Sequence, residues 1–249
     1  MKSFGILLKN ELKLNIRNMN MVIFAVIIPI VVLVILGLIY GTKPAADGAE
    51  YTFIEQSFGA LCAISICAGG LMGLPLVVSE YRERKILKRF QVTPVSPIKL
   101  LAVEFAIYVL YCVVSLLTLI PFSLIWNVRL NGSWFAFLGS WLLTMVSTLC
   151  IGLMVGGIAK NTKVASIIAC VLYFPMLIFS GTTLPFEVMP DVMQKIVYVF
   201  PMTQGIQLMK STFLGLPTPN VWIPIAVMSA VIIVCIAITV KFFKWESDK

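Results

Sequence analysis

Residues 18–42, NMNMVIFAVIIPIVVLVILGLIYGT, run without a single Asp, Glu, Lys, Arg or His. A helix needs about 20 mainly apolar residues to cross a bilayer, so this stretch is long enough to span one. It also exceeds the apolar segment of a cleavable signal, about 7–15 residues, which favours a retained span. Five more charge-free windows of spanning length follow, at 56–79, 105–128, 130–159, 164–186 and 211–240. A seventh uncharged run, 196–209, is too short to cross. Pro29, Pro75, Pro121, Pro175 and Pro224 punctuate these runs. Membrane helices tolerate such prolines because neighbouring groups re-satisfy the freed backbone.

The rest of the composition agrees. Of 249 residues, 60% are hydrophobic and 12% charged, against roughly 45–50% and about 25% in a soluble domain. The expectation is an all-α membrane protein, one domain over residues 1–249, with six transmembrane helices. A formal charge of +8 could suggest nucleic acid, but that needs a basic face on a soluble domain and the apolar runs leave no room for one. Cationic loops on the inner side explain the excess instead. With both termini inside, the inner segments hold Lys2, Lys9, Lys13 and Arg17, then Arg82, Arg84, Lys85, Lys88, Arg89 and Lys99, then Lys160 and Lys163, and finally Lys241, Lys244 and Lys249. Only Lys43, Arg129, Lys195 and Lys210 remain outside.

Six cysteines, Cys62, Cys67, Cys112, Cys150, Cys170 and Cys235, fall inside the apolar runs, where a free thiol behaves as a small hydrophobe. Without a CxxC pair or any histidine there is no pattern for zinc, and no metal is expected.

The charge that the spans lack gathers in SEYRERKILKRFQVTPVSP, residues 79–97. Read as a helix over Glu80–Gln91, it places Ile86, Leu87 and Phe90 on one narrow face and Arg82, Lys85 and Arg89 on another. Glu80 and Arg84 form a favourable i,i+4 pair. Pro94 disfavours helix at Thr93, and Ser96 before Pro97 reads as an N-cap starting the third span. Residues 80–97 thus read as a short amphipathic helix on the inner face, whose apolar side needs a partner. Residues 1–19 read similarly. Phe4, Leu8, Leu12 and Ile16 form a stripe, with Lys2, Lys9, Lys13 and Arg17 beside it and Glu11 and Asn15 interrupting it. This suits a helix lying in the inner interface beside anionic headgroups. The segment 183–218 is too apolar for a solvated loop and reads as short helices around Val188–Phe200 and Thr203–Phe213, dipping back from the outer face.

No GxxxxGK[ST] phosphate loop and no GxSxG occur, so neither ATP binding in the P-loop manner nor that hydrolase chemistry is supported. Glu55 and Glu104, near the ends of their spans, are expected at the interface rather than at mid-membrane, where ion-coupled carriers place such groups. The energy for any transport is therefore expected from another chain. A non-transport scaffold or assembly factor and an ion-coupled secondary carrier are the alternatives.

The charged run ending in Thr93-Pro94, ERKILKRFQVTPVSP, and the later FSGTTLPFEVMPDVMQKIVYVFPMTQGIQLMK resemble the ABC-2-type permeases, membrane subunits of ABC exporters. Phe179, Ser180, Gly181, Pro185, Met189, Pro190 and Pro201 match that family's FSG…P…MP……P pattern. The resemblance implies a coupling helix in which Glu83, Arg84, Lys85, Lys88, Arg89 and Phe90 meet a separate ATP-binding subunit, while Ile86 and Leu87 pack on the permease. It implies secondary contacts from Lys9, Lys13, Arg17, Lys160 and Lys163. Phe174, Phe179, Pro185, Pro190 and Pro201 would lie along the pathway or its outer gate. ATP and Mg would be held by the partner ATPase and no cofactor by this chain. The other implied partners are a second permease, identical or paralogous, and membrane lipids. The setting is the plasma membrane with both termini cytoplasmic, and the cargo an amphipathic or lipid-like compound such as a drug, antibiotic, lipid or glycolipid.

Overall fold

The computed structural model describes residues 2–17, 19–45, 49–86, 97–179, 190–217 and 220–242. They form helices α1 (Lys2–Arg17), α2 (Met19–Tyr40), α3 (Phe53–Glu83), α4 (Pro97–Leu124), α5 (Trp134–Ile158), α6 (Thr162–Phe179), α7 (Asp191–Val197), α8 (Pro201–Leu214) and α9 (Trp222–Phe242). Among the described residues there is no strand, only an isolated bridge between Pro44 and Thr52. Six helices, α2 to α6 and α9, are long and apolar enough to cross a bilayer. The chain is an all-α, multi-pass membrane protein.

Three boundaries differ from the sequence reading, each for a physical reason. Span two does not stop before Glu80: α3 runs on to Glu83. The expected helix over Glu80–Gln91 is instead broken at Arg84–Lys85. There the Arg84 N–H bonds back to Glu80 O, the Lys85 N–H bonds to Arg82 O, and Lys85 turns left-handed with φ 57°. The last span starts at Trp222 rather than 211, because residues 201–214 form the separate helix α8. Gly215 ends α8 at φ 71°, a conformation that glycine adopts without steric cost.

Helix α3 is the hub. In its most apolar window 83% of residues are buried inside the protein, against 22% in α2 and 17% in both α6 and α9, which leaves those three facing outward. Helix α3 packs against α2, α4, α5, α6 and α8, and α5 packs against α3, α8 and α9. The α3–α5 contact is made by small residues. A Cβ on Gly152 would strike the Gly70 carbonyl oxygen, and one on Gly156 would sit 2.8 Å from the Val78 Cβ. Within a bilayer, packing of this kind replaces the hydrophobic drive between helices.

Helices α2 and α3 each contain a widened π-type turn, Ile23–Ile27 and Ala68–Gly73. Each lies just before a proline, Pro29 or Pro75. A proline ring clashes with the carbonyl four residues back, here Ala25 or Leu71, and the extra residue in the turn makes room for it.

Helix α8 is held along the half of α5 that begins at Trp134. Its Phe213 carbonyl accepts from the backbone of Asn131 and Gly132, and Thr212 lies 3.2 Å from Ser140. Near its start, Met202 Sδ accepts from Thr148 Oγ1 at 3.8 Å, just past the midpoint of α5. Helix α8 therefore lies against about half the length of α5, from Thr148 to the residues just before Trp134. Phe58, Phe137 and Phe213, with ring centroids 4.6–5.9 Å apart, lock its far end to α3 and α5.

Candidate functional site

The charged stretch closes one end of the bundle. Successive residues there have opposite fates, because neighbours on a helix point about 100° apart. Arg82 turns inward, is buried, and donates to the Gly157 carbonyl of α5 at 2.6 Å. Glu83 turns toward α6 and accepts hydrogen bonds from the N–H and the hydroxyl of Thr162. Arg84 stays exposed, paired with Glu80 at 2.8 Å, and Lys85 is exposed beside it. Ile86 folds back and packs against the apolar core.

The short link between α5 and α6 joins this surface. Asn161 caps α6 by accepting from the Val164 N–H at 2.9 Å, and Lys160 and Lys163 are both exposed. On the other flank α1 lies along α4. A cavity of about 300 Å³ separates α1 from the end of α3, lined by Glu11, Asn15, Glu80, Tyr81, Arg84 and Ile86. Lys9, Lys13 and Arg17 project from α1 as exposed cations. The structure thus gathers Glu83, Arg84, Lys85, Lys160, Lys163 and the α1 cations at one end. Lys88, Arg89 and Phe90, and Pro185, expected along the pathway or its outer gate, lie outside the described residues.

The apolar stripe expected on α1 is divided between the protein and the surface. Phe4 and Ile16 are exposed, whereas Leu7, Leu8 and Leu12 pack on the core and Asn15 and Glu11 line the cavity. The residues that interrupt the apolar stripe, Glu11 and Asn15, thus share the inward side with Leu8 and Leu12.

Among the described residues, those expected along the pathway differ in burial. Phe174 is 53% exposed on α6 and stacks edge-on against Tyr173, and Phe179 is half-buried at the end of that helix. Pro190 is exposed at the N-terminus of α7, whereas Pro201 is buried as the first residue of α8. An apolar groove of about 550 Å³ runs between α5, α8 and α9, past Leu142, Val146, Leu208 and Ile225. Its polar groups include the hydroxyls of Ser140 and Thr212.

Neither carboxylate expected at the interface sits there unpartnered. Glu55 is buried and completes a capping box with Thr52. The Thr52 N–H donates to Glu55 Oε2 at 2.8 Å, and Glu55 Oε1 accepts from the Arg129 N–H at 2.9 Å. The signal was present in the sequence as Thr52-Phe-Ile-Glu55. Glu104 is fully buried, because α1 covers the face of α4 that carries it.

A sequence model of the ABC-2 type transporter family matches residues 2–214. No curated protein matches the chain.

Proposed function

Since the chain belongs to the ABC-2 type transporter family, we propose that it is the permease subunit of an ATP-driven exporter. It would pair with a second permease, identical or paralogous, and with two ATP-binding subunits that hold ATP and Mg. This chain would itself catalyse nothing. The proposed setting is the plasma membrane, with the charged end and both termini cytoplasmic, α1 in the inner interface, and α7 and α8 re-entrant from the outer side.

One observation carries the reading. Arg84 and Lys85 stand exposed at the tip of α3, the most buried helix, and Arg82 and Glu83 brace that tip against α5 and α6. A force applied to the tip is passed to the centre of the bundle through rigid contacts, which is what coupling to a moving ATPase requires. Lys160, Lys163 and the α1 cations flank the same surface as secondary contacts. The apolar groove with its few hydroxyls suits an amphipathic or lipid-like cargo.

Co-purification with an ATP-binding subunit tests this reading. Wild-type protein is expected to retain an ATPase and stimulate its turnover, and Arg84→Glu combined with Arg89→Glu to lose both. If no ATPase is bound or stimulated, the exporter reading fails and a scaffold remains. Transport that persists without ATP and collapses with the ion gradient would make the chain a secondary carrier.

A further inference from the structure

Tyr81 on α3 stands between two carboxyl groups. Its hydroxyl lies 2.8 Å from Glu11 Oε2 on α1 and 2.9 Å from Glu104 Oε1 on α4. A phenol has one hydrogen and can satisfy one carboxylate with it. The second contact is a hydrogen bond only if the other carboxyl carries a hydrogen of its own and donates it to the phenol oxygen.

The surroundings decide which carboxyl that is. Glu104 is fully buried, whereas Glu11 is half-buried on the wall of the 300 Å³ cavity. The groups facing the pair are Glu11 and Asn15 from α1, Glu80, Tyr81 and Arg84 from α3, and Tyr108 and Tyr111 from α4. Helices α2 and α5 also pack on α4 and carry no acidic or basic side chain. Arg84 is committed to Glu80, and Arg82 turns away to Gly157. No described cation is therefore placed to neutralise Glu104, and an isolated buried carboxylate takes a proton rather than remain ionised.

A second observation agrees. The other oxygen of Glu104, Oε2, is buried and makes no well-formed hydrogen bond, since the Asn15 amide facing this carboxyl donates to the Glu11 backbone carbonyl. A neutral carbonyl tolerates that state far better than an anion. Beyond it, at the helical spacing 104, 108, 111 and 115, the buried hydroxyls of Tyr108, Tyr111 and Ser115 are also unpartnered.

We propose that Glu11, Tyr81 and Glu104 form a binding site for one proton. The Glu104 carboxyl holds it and donates to the Tyr81 oxygen, and the Tyr81 hydroxyl donates to the Glu11 carboxylate. Because Glu11 belongs to α1, the proton clamps α1 to the spans. Removing it leaves two anions facing one hydroxyl hydrogen, and α1 is released. The docked form is complete at low pH and lost as pH rises through the site's titration. With one proton linked, the docked-to-released ratio falls by up to about tenfold per pH unit. The site needs no particular cargo or ATPase, so its test is independent of the transport reading.

The full-length protein in lipid nanodiscs provides the test. Infrared spectra at neutral pH are expected to show a protonated carboxyl band that Glu104→Gln removes. Hydrogen exchange of residues 2–17, corrected for its intrinsic pH dependence, is followed from about pH 5 to about pH 9. Wild-type protection falls as the pH rises. Glu104→Gln keeps its protection throughout, because its amide donates to Tyr81 a hydrogen that does not titrate in this range. Tyr81→Phe is weakly protected at every pH. Should Glu104→Gln fail to fold, Glu11→Gln abolishes the pH dependence from the other side. Absence of the band in wild type, flat wild-type protection, or variants as pH-sensitive as wild type would overturn the proposal.

Discussion

Glu83 and Thr162, 79 residues apart, are joined at the charged end of the bundle: the Glu83 carboxylate accepts from the Thr162 N–H at 2.9 Å and from its hydroxyl as well. An acid at a helix N-terminus satisfies an otherwise orphaned N–H and meets the positive end of the helix dipole. Glu83→Ala should therefore fray the start of α6 and raise amide exchange across residues 162–165 several-fold, with Glu83→Asp intermediate. Unchanged exchange in the alanine variant would mean that the contact holds nothing.

The opposite end of α3 depends on Thr52, whose side chain accepts from the Glu55 N–H. Loss of an N-cap side chain costs about 1 kcal/mol. Thr52→Ala is expected to lower thermal stability by that amount, and Thr52→Ser to restore it. Equal melting of the two variants would remove the capping box from the account.

At the crossing of α3 and α5, a side chain on Gly152 would meet the Gly70 carbonyl, part of a helix backbone that cannot move aside. Gly152→Val should cost about 3 kcal/mol or more and prevent recovery of monodisperse protein. Gly139, which has open space around it, serves as the control, and Gly139→Ala should be neutral. A well-behaved Gly152→Val protein would show that α3 and α5 lie farther apart than described.

Phe213 is buried between Phe58 and Phe137 and fixes the end of α8. Phe213→Ala should cost about 3–5 kcal/mol through the cavity left behind. Accessibility labelling along α8 should rise in step. Phe135→Ala, at a position 90% exposed, should leave both measurements unchanged.

Much of this molecule is legible in its sequence, and the exceptions share one cause. The spans follow from uninterrupted apolar runs, since length and charge alone decide whether a segment can cross a bilayer. The two short helices after α6 follow from a segment too apolar for a solvated loop. What one chain position cannot reveal is which neighbour its face meets. Arg82 and Arg84 look alike in the charged run, yet one is buried against Gly157 and the other exposed with Glu80. Glu11 and Asn15 look like flaws in an amphipathic stripe until Tyr81 and Glu104 are seen beside them. The polar spacing of Glu104, Tyr108, Tyr111 and Ser115 was available from a helical wheel, but on an unplaced helix the wheel cannot say whether that face meets lipid or protein.

The sequence by itself determined the class of fold, the number of spans and the family, because each rests on local composition and on motifs read in order. Tertiary structure alone decided that α3 is the hub, that α8 starts level with the middle of α5, and that Glu104 is enclosed beneath α1. Those facts depend on close approach between glycines and on side chains from three helices meeting at one oxygen, and residues far apart along the chain meet only after the helices have packed.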